Sequence, residues 1–386
     1  MDGAGYGAFG MPPTDPHFGD FRLKVLLTAA SFKSTYGGPA VSVSRLAEAL
    51  AGSGLRVGLW AADGSALHAP VSSGMKGIRL LAGPLASAMI SYGLAEIIHD
   101  NGIWRSHNHH VARLAAKHRI ARLVSPRGML EPWALNHKWL KKRLAWAAYQ
   151  RADLKRATCV HATADLEADH IRQMGLGVPV RIIPNGVDPA PSNVFHGLSM
   201  ATSNQPKTAL FLSRIHPKKG LLLLVEAWKR EQPNGWRLRI VGPDEAGHRD
   251  EVERAVSLAQ LQDVIYFSGP VEGEAKADVF ANADLLVLPS YSENFGMVIA
   301  EALAHGLPVL TTTATPWSAL ATRGCGWCVS PTVEGISEGL RQATSLQRDA
   351  LRRMGARGRE WVVSDFGWNA VAKQFIDVYE QMLIVH

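Results

Sequence analysis

Residues 285–301 read LLVLPSYSENFGMVIAE and carry the clearest indication of the fold class. Four apolar residues, Leu285 to Leu288, are followed by a polar loop and then by apolar residues at helical spacing. A short, wholly apolar strand that leads through a loop into a helix is typical of a parallel sheet covered by helices on both faces. The stretch therefore predicts an α/β fold, and the same unit recurs on both sides of it.

The strand-and-helix unit repeats in two halves of the chain. Apolar strands are predicted at residues 23–29, 56–60, 78–81, 95–98 and 121–125, and again at residues 208–212, 238–241, 264–267, 285–288 and 309–312. This alternation predicts two Rossmann-like domains of the α/β class. Because open α/β sheets bind ligands beyond the carboxyl ends of their strands, we expect a ligand-binding cleft between the two domains.

Composition suggests where the domains begin and end. Residues 1–20 are rich in Gly and Pro without periodicity and are expected to form a flexible tail, and the polar segment 189–207 is expected to be a linker. The N-terminal domain is then predicted at 21–188 and the C-terminal domain at 208–365. Residues 366–386 are predicted to form a C-terminal helix that could pack back on the N-terminal domain.

Charge and cysteine content narrow the class of protein. The net charge of +7 favours an anionic partner, which could be nucleic acid, anionic lipid or a phosphorylated substrate. No nucleic-acid-binding module is present, so nucleic acid is not expected as a partner. Three cysteines are too few for a disulfide framework and fit a reducing compartment. With no apolar run near the ~20 residues that cross a membrane and no signal-peptide pattern, we expect a cytoplasmic protein.

Two loops carry residues that suit anions. Gly37 and Gly38 follow the first strand and precede a helix, whose N-terminus offers free N–H groups to a phosphate; a tight strand–helix turn is the alternative. Arg214 and Lys219 follow the first strand of the second half, also at the start of a helix. Two cations and a helix dipole at one point suit a diphosphate, and a solvated basic loop is the alternative there.

Two carboxylates follow the strand at 285–288. Glu293 lies in the loop, and Glu301 is expected about two turns into the next helix, on its apolar side. A carboxylate on an apolar face needs a partner because the burial of an unpaired charge is costly. Sugar hydroxyls are suitable partners, since ionised carboxylates only accept hydrogen bonds. The alternative is a pair of surface glutamates on an ordinary helix.

The spacing of Glu293 and Glu301 resembles the E-x7-E pattern of retaining glycosyltransferases with the GT-B fold. These enzymes form glycosyltransferase family 4, or group 1, which includes bacterial lipopolysaccharide, capsule and phosphatidylinositol sugar transferases. The resemblance covers nearly the whole chain from about residue 23. It also rests on GG at 37–38, SPRGML at 125–130, PNGVD at 184–188, SRIHPKKG at 213–220 and GLPV at 306–309. E-x7-E alone is weak, but the motifs in this order are specific.

The resemblance implies roles for the matching residues. Arg214 and Lys219 look like the pair that neutralises the donor diphosphate. Glu301 looks like the residue that accepts hydrogen bonds from the ribose hydroxyls, and Glu293 resembles the one that holds the transferred sugar. The other donor-binding positions that the resemblance implies are Gly37, Gly38, Val271, Asn294, Phe295, Gly296 and Met297.

One position departs from the family pattern. Many relatives have a histidine after the fifth strand, near the reacting sugar carbon, and Arg127 stands at this place. Arginine does not act as a base at neutral pH but stabilises developing negative charge. Arg127 therefore joins Arg214, Lys219 and Glu293 as a catalytic candidate. His99, expected on a nearby strand-end loop, is a further candidate, and the alternative is an ordinary loop histidine.

The resemblance implies a retaining hexosyltransferase. The donor would be a UDP- or GDP-linked sugar, and the acceptor a lipid-linked saccharide or oligosaccharide in lipopolysaccharide, capsule or exopolysaccharide synthesis. No metal and no other cofactor is expected, because two side-chain cations serve the diphosphate and the chain has no Asp-x-Asp motif. The alternatives are a nucleotide-sugar 2-epimerase on the same scaffold and a catalytically inactive nucleotide-sugar-binding protein.

A basic, aromatic segment predicts contact with lipid. Residues 137–156 are predicted to form one helix in which lysines and arginines mix with tryptophan, tyrosine and leucine. This composition suits a helix at the interface of an anionic membrane; a helix with solvated cations and aromatics packed on the sheet is the alternative. We therefore expect peripheral association with the inner face of the cell membrane.

Overall fold

The computed structural model describes residues 23–33, 38–136, 138–190, 205–245 and 247–386. The expected tail, Gly37 and most of the expected linker lie outside the described residues. The described backbone forms two separate parallel sheets, each flanked by helices. The predicted α/β class with two Rossmann-like domains is therefore confirmed.

The N-terminal sheet has seven strands. They are β1 (Lys24–Ala29), β2 (Arg56–Ala61), β3 (Ile78–Leu81), β4 (Ile97–Asn101), β5 (Ala121–Ser125), β6 (Cys159–Ala162) and β7 (Val180–Ile182). Their order is β3-β2-β1-β4-β5-β6-β7, and all neighbours are parallel. The helices in this part of the chain are α1 (Gly38–Gly52), α2 (Leu85–Tyr92), α3 (Ser106–His118), α4 (Pro132–Asn136), α5 (Trp139–Ala145), α6 (Arg151–Lys155) and α7 (Asp165–Gln173).

The C-terminal sheet has six strands. They are β8 (Lys207–Leu212), β9 (Trp236–Val241), β10 (Ile265–Ser268), β11 (Leu285–Leu288), β12 (Val309–Thr312) and β13 (Gly326–Val329), in the parallel order β10-β9-β8-β11-β12-β13. The strand order reverses between β8 and β11, and ligands of open α/β sheets bind at such a switch point. The helices are α8 (Leu221–Glu231), α9 (His248–Leu258), α10 (Gly273–Ala281), α11 (Met297–Ala304), α12 (Ala319–Thr322), α13 (Val333–Thr344), α14 (Arg348–Phe366) and α15 (Trp368–Val385).

The last helix returns to the N-terminal part of the chain. Phe375 and Tyr379 of α15 are buried in the same apolar cluster as Val43 and Leu46 of α1. The PNGVD segment fits closely under this helix, because a Cβ added to Gly186 would lie 2.2 Å from the indole of Trp368. Only glycine therefore allows α15 to approach the segment this closely.

The segment expected as one helix at 137–156 is not uniform. Between α5 and α6 the backbone forms a π-helical turn, Trp146–Gln150, and residue 137 lies outside the described residues. A π turn interrupts the i to i−4 hydrogen bonding of an α-helix, and such turns are frequent at functional sites. The amphipathic pattern predicted the helical segment but not this change in its geometry.

Candidate functional site

The loops that follow β8 and β11 pack directly against each other. A Cβ on Gly220 would lie 2.1 Å from the carbonyl oxygen of Pro289, and the Tyr291 N–H donates to the Lys218 carbonyl over 2.8 Å. Gly220 also has a φ of 71°, which favours glycine. The sequence therefore brings these two loops together at the switch point of the C-terminal sheet.

Close packing of the loops pairs Lys219 with Glu293. Lys219 Nζ lies 2.5 Å from Glu293 Oε1, and both side chains are 11% exposed. The Ser290 hydroxyl donates to the same carboxylate oxygen over 2.7 Å. Glu293 is therefore held in one orientation by a cation and a hydroxyl, and Lys219 is fixed at the carboxyl end of β8.

The other two charged candidates of this domain also have partners of opposite charge. Glu301 lies in the second turn of α11, where its Oε1 accepts from Lys276 Nζ over 2.6 Å. The sequence did not indicate Lys276, because it comes from α10 and no motif includes it. Arg214 pairs with Glu245 over 2.6 Å, and the Arg214 side chain is 61% exposed. Arg214 is therefore a surface cation in this arrangement, whereas Lys219 is nearly buried.

The backbone candidates lie around the start of α11 and in two loops. Gly296 precedes α11 with a φ of 78°, and the Trp317 indole N–H donates to the Phe295 carbonyl over 2.5 Å. Helix α11 begins at Met297, so its first N–H groups have no acceptor within the helix. Val271 is half-buried between β10 and α10, and exposed Gly38 begins α1.

Arg127 lies at the carboxyl end of β5, and neutral groups hold its guanidinium. Nε and Nη2 donate to Asn101 Oδ1 over 3.2 and 2.7 Å, and Nη1 donates to Asn185 Oδ1 over 2.7 Å and to Ser42 Oγ over 3.4 Å. Across the part of the chain that the structure describes, no carboxylate lies within 4.0 Å of this guanidinium. Burial lowers the pKa of Arg127 to about 10, so the side chain keeps its charge at neutral pH.

His99 is not on a loop, which corrects the sequence-based expectation. It lies inside β4 and is fully buried, and burial keeps its pKa well below the usual value. Its Nδ1 and Nε2 lie 2.7 Å from the hydroxyls of Tyr379 and Ser125, and Ser125 continues over 2.7 Å to Nδ1 of His161. Both ring nitrogens of His99 are therefore occupied, and the side chain has no access to a substrate in the cleft.

The directions of the hydrogen bonds that link Tyr379, His99, Ser125 and His161 follow from the acceptor at one end. The Ile183 carbonyl only accepts, so the neutral ring of His161 carries its proton on Nε2, which lies 2.7 Å away. Nδ1 of His161 then accepts from Ser125, whose oxygen accepts from His99 Nε2, and His99 Nδ1 accepts from Tyr379. Every ring nitrogen and hydroxyl in this row of hydrogen bonds therefore has a partner. The row connects α15 to the N-terminal sheet, so its role is structural.

The two domains meet where the loop that follows β11 contacts the loops that follow β5 and β6. The Ser292 hydroxyl donates to Glu131 Oε2 over 2.8 Å, and Asn294 Nδ2 donates to Thr163 Oγ1 over 2.9 Å. A Cβ on Gly128 would lie 3.0 Å from the Asn294 side chain. The loop of the E-x7-E motif therefore contacts the loop that carries Arg127. Sequence reasoning missed Glu131, which no motif distinguishes from other loop carboxylates.

Comparison with known families fits this arrangement. The family model described as "Glycosyltransferase Family 4" matches residues 36–191, and the model described as "Glycosyl transferases group 1" matches residues 200–361. A D-inositol 3-phosphate glycosyltransferase of Kineococcus radiotolerans is 33% identical over 230 residues, which are 52% of this chain and 52% of that protein. The GDP-mannose:cellobiosyl-diphosphopolyprenol alpha-mannosyltransferase of Komagataeibacter xylinus is 27% identical over 241 residues, 60% of this chain and 58% of that protein. The chain thus spans little more than half the length of these curated relatives.

Solved structures show the same architecture over nearly the full chain. The sucrose-phosphate synthase of Thermosynechococcus elongatus superposes with a TM-score of 0.75 at 22% identity, over 95% of this chain and 100% of that one. Anabaena Alr3699/HepE in complex with UDP and glucose superposes with a TM-score of 0.71 at 17% identity, over 93% and 100%. Fold and site together define a glycosyltransferase of the GT-B type.

The chain belongs to the group 1, or family 4, glycosyltransferases. The two curated relatives quoted above are named as a glycosyltransferase and a mannosyltransferase. The alternative of a nucleotide-sugar 2-epimerase receives no support from them.

Proposed function

We propose that the protein transfers a hexose, with retention of anomeric configuration, from a nucleotide-diphosphate sugar to a lipid-linked saccharide in surface-polysaccharide synthesis. The observation that carries this proposal is the Lys219–Glu293 pair at the switch point of the C-terminal sheet, in a loop that contacts the N-terminal domain. A cation and a carboxylate held at the carboxyl ends of the strands support this proposal, because open α/β sheets bind ligands at that edge. The UDP seen with the Anabaena protein supports a nucleotide donor of this kind.

Each charged side chain has a proposed role in donor binding. Glu301 accepts hydrogen bonds from the ribose hydroxyls, in place of part of its contact with Lys276. Glu293 accepts from a hydroxyl of the transferred hexose while Lys219 holds the diphosphate. The backbone N–H groups at the start of α11 would meet the same ligand, because they have no acceptor within the helix.

Arg127 is proposed to act from the opposite domain. No carboxylate among the described residues lies within 4.0 Å of its guanidinium, and Glu167 interacts with it only at longer range, so Arg127 attracts the negative charge that develops as the diphosphate leaves. Three cationic side chains, Arg127, Lys219 and Arg214, are then available to the leaving group. We therefore propose that the reaction needs no metal ion. Activity that persists in EDTA would support this, and loss that magnesium restores would contradict it.

The enzymatic proposal is tested by a nucleotide-sugar screen followed by product analysis. Thermal stabilisation by one nucleotide-sugar identifies the donor, because a ligand of the native state raises the Tm. NMR of the product then gives its anomeric configuration. An α-linked product from an α-linked donor is expected, and an inverted product would overturn retention. Conversion of the donor without any acceptor would indicate an epimerase.

Association with the inner face of the cell membrane is also proposed. None of the described helices is long and apolar enough to cross a bilayer. Exposed cations before and within α5 would instead bind anionic lipid, at about 1 kcal/mol for each cation near the surface. Sedimentation with anionic but not neutral vesicles is expected. It should fall when Lys138 and Lys141 are changed to Glu, and Lys229→Glu in the C-terminal domain is the matched control. Equal sedimentation with both vesicle types would contradict the proposal.

A further inference from the structure

An apolar groove of about 190 Å³ lies in the N-terminal domain, between α4, α5, the π turn and α7. No role in donor binding involves it. Its apolar walls are Trp104, Leu135, Trp139, Trp146 and Met174. Trp139 is 52% exposed at this groove, and exposed apolar surface rimmed by charged side chains is typical of a binding groove.

The wall of the groove is held in a strained conformation. Trp104 has a φ of 75°, a region that bulky residues rarely adopt. The π turn fixes it at both backbone groups. Gln150 Oε1 accepts from the Trp104 N–H over 2.7 Å, and the Tyr149 hydroxyl donates to the Trp104 carbonyl over 2.7 Å. Two uncommon local structures support each other here, and such strain persists where the surroundings impose it, commonly at ligand-binding sites.

The groove adjoins the loop of the reaction centre. The Trp104 indole N–H donates to the Met129 carbonyl over 3.2 Å. Met129 lies in the loop after β5, two residues beyond Arg127 and two before Glu131, which contacts the C-terminal domain. A molecule that occupies the groove therefore ends next to the cleft and does not lie on a remote surface.

The charged residues at the groove indicate which class of ligand it would bind. Lys142 and Arg143 also line it, and the Lys142 ammonium lies over the Trp104 ring, 5.8 Å from its centroid. An apolar floor disfavours a nucleotide or a free sugar, because their hydroxyls would lose hydrogen bonds to water without replacement. Two cations beside an apolar floor fit an amphiphile with an anionic head and an apolar chain.

We propose that this groove binds the first units of the prenyl chain of the lipid-linked acceptor, with the acceptor's phosphates at Lys142 and Arg143 and its saccharide in the cleft. The proposal rests on the proposed transferase function. It adds that the acceptor's chain, and not only its sugar, is recognised by the protein. The π turn and the strained tryptophan then serve to shape the chain-binding wall.

Binding of a soluble probe tests the groove. The probe is farnesyl diphosphate below its micellar concentration, measured by calorimetry, with inorganic pyrophosphate and farnesol as controls. Farnesyl diphosphate should bind at least tenfold more tightly than either control. Trp139→Glu, at a position 52% exposed in the groove wall, should weaken binding at least tenfold without loss of fold. Equal affinity for farnesyl diphosphate and pyrophosphate would overturn the proposal.

Leu144→Glu is the matched control. Leu144 is 72% exposed on the same helix but does not line the groove. The Leu144→Glu variant should bind vesicles less well but keep its farnesyl diphosphate affinity within about twofold. If Leu144→Glu and Trp139→Glu weaken farnesyl diphosphate binding equally, the probe binds a general apolar surface, and the proposal that the groove binds the chain is wrong. UDP and GDP binding are measured on the same samples. If neither nucleotide binds, the proposed transferase function is wrong, and the farnesyl diphosphate data still show whether the groove binds a prenyl chain.

Discussion

Asn185→Asp tests whether the charge of Arg127 is used. Asn185 Oδ1 accepts from Arg127 Nη1 over 2.7 Å, so aspartate retains the shape and the hydrogen bond but adds a negative charge. The new carboxylate would pair directly with Arg127, which has no carboxylate within 4.0 Å among the described residues and interacts with Glu167 only at longer range. The guanidinium stays in place, and only its availability to a substrate anion changes.

The expected effect is large on turnover and small on folding. Two unit charges 4 Å apart interact by about 4 kcal/mol at an effective dielectric constant of about 20. Loss of one preorganised group that stabilises a transition-state charge lowers kcat by about 10²–10³. We therefore expect kcat to fall by about that factor, with a Tm equal to or above that of the unmodified protein, because a buried cation gains a partner.

The assay separates this effect from misfolding. Initial rates give kcat and KM, and calorimetry gives the affinity for UDP and GDP. Asn234→Asp adds the same charge at an exposed turn of the C-terminal domain and should change neither rate nor Tm. A folded Asn185→Asp protein with unchanged kcat would refute the role of Arg127 as a source of unneutralised charge.

Three further predictions follow from the site and the buried histidines. Lys219→Ala should lower kcat more than Arg214→Ala, because Lys219 is fixed in the loop contact whereas Arg214 is exposed; rates of the two variants decide this. Glu301→Ala should raise the donor KM at least tenfold with little change in Tm, and an unchanged KM would exclude contact with the ribose. Burial lowers the pKa of His161 to about 3, below its unfolded value near 6.5, so the unfolded chain binds more protons in acid. Stability is therefore full above pH 6.5 and lost towards pH 3, and His161→Gln should reduce the fall in Tm between pH 7 and pH 5.

Strands could be predicted from the sequence where they are wholly apolar. Where they are not, they were shortened, as β4 was, or missed, as β6, β7 and β13 were. The strand 285–288 was predicted with its observed bounds, because all four residues are apolar and buried. Strand β4 was predicted to end at residue 98 but continues through His99, Asp100 and Asn101, which are all buried. A hydropathy pattern does not identify polar residues of a buried strand, because the hydrogen-bond partners that allow their burial come from distant segments of the sequence. The misplacement of His99 on a loop has this cause.

The site was predictable as far as it depends on parallel-sheet geometry. Lys219 and Glu293 follow neighbouring strands, so their proximity could be expected from the strand order. Their direct pairing, and that of Glu301 with Lys276, could not be predicted, because the relative positions of side chains from separate loops and helices depend on tertiary packing. The partners of Arg127 illustrate the same limit, since Asn101 and Asn185 are 84 residues apart in sequence but adjacent in space.

Differences in burial among the ion pairs imply an order of events at the diphosphate. The Arg214–Glu245 pair is exposed, and such pairs contribute about 0–1 kcal/mol, so Arg214 leaves its partner at little cost when an anion enters. The Lys219–Glu293 pair is nearly buried, and separating it would leave a charge without a partner. Lys219 should therefore stay where it is and receive the diphosphate in the orientation set by Glu293. In this scheme Arg214 moves onto the phosphate afterwards, which predicts that Arg214→Lys retains more activity than Lys219→Arg.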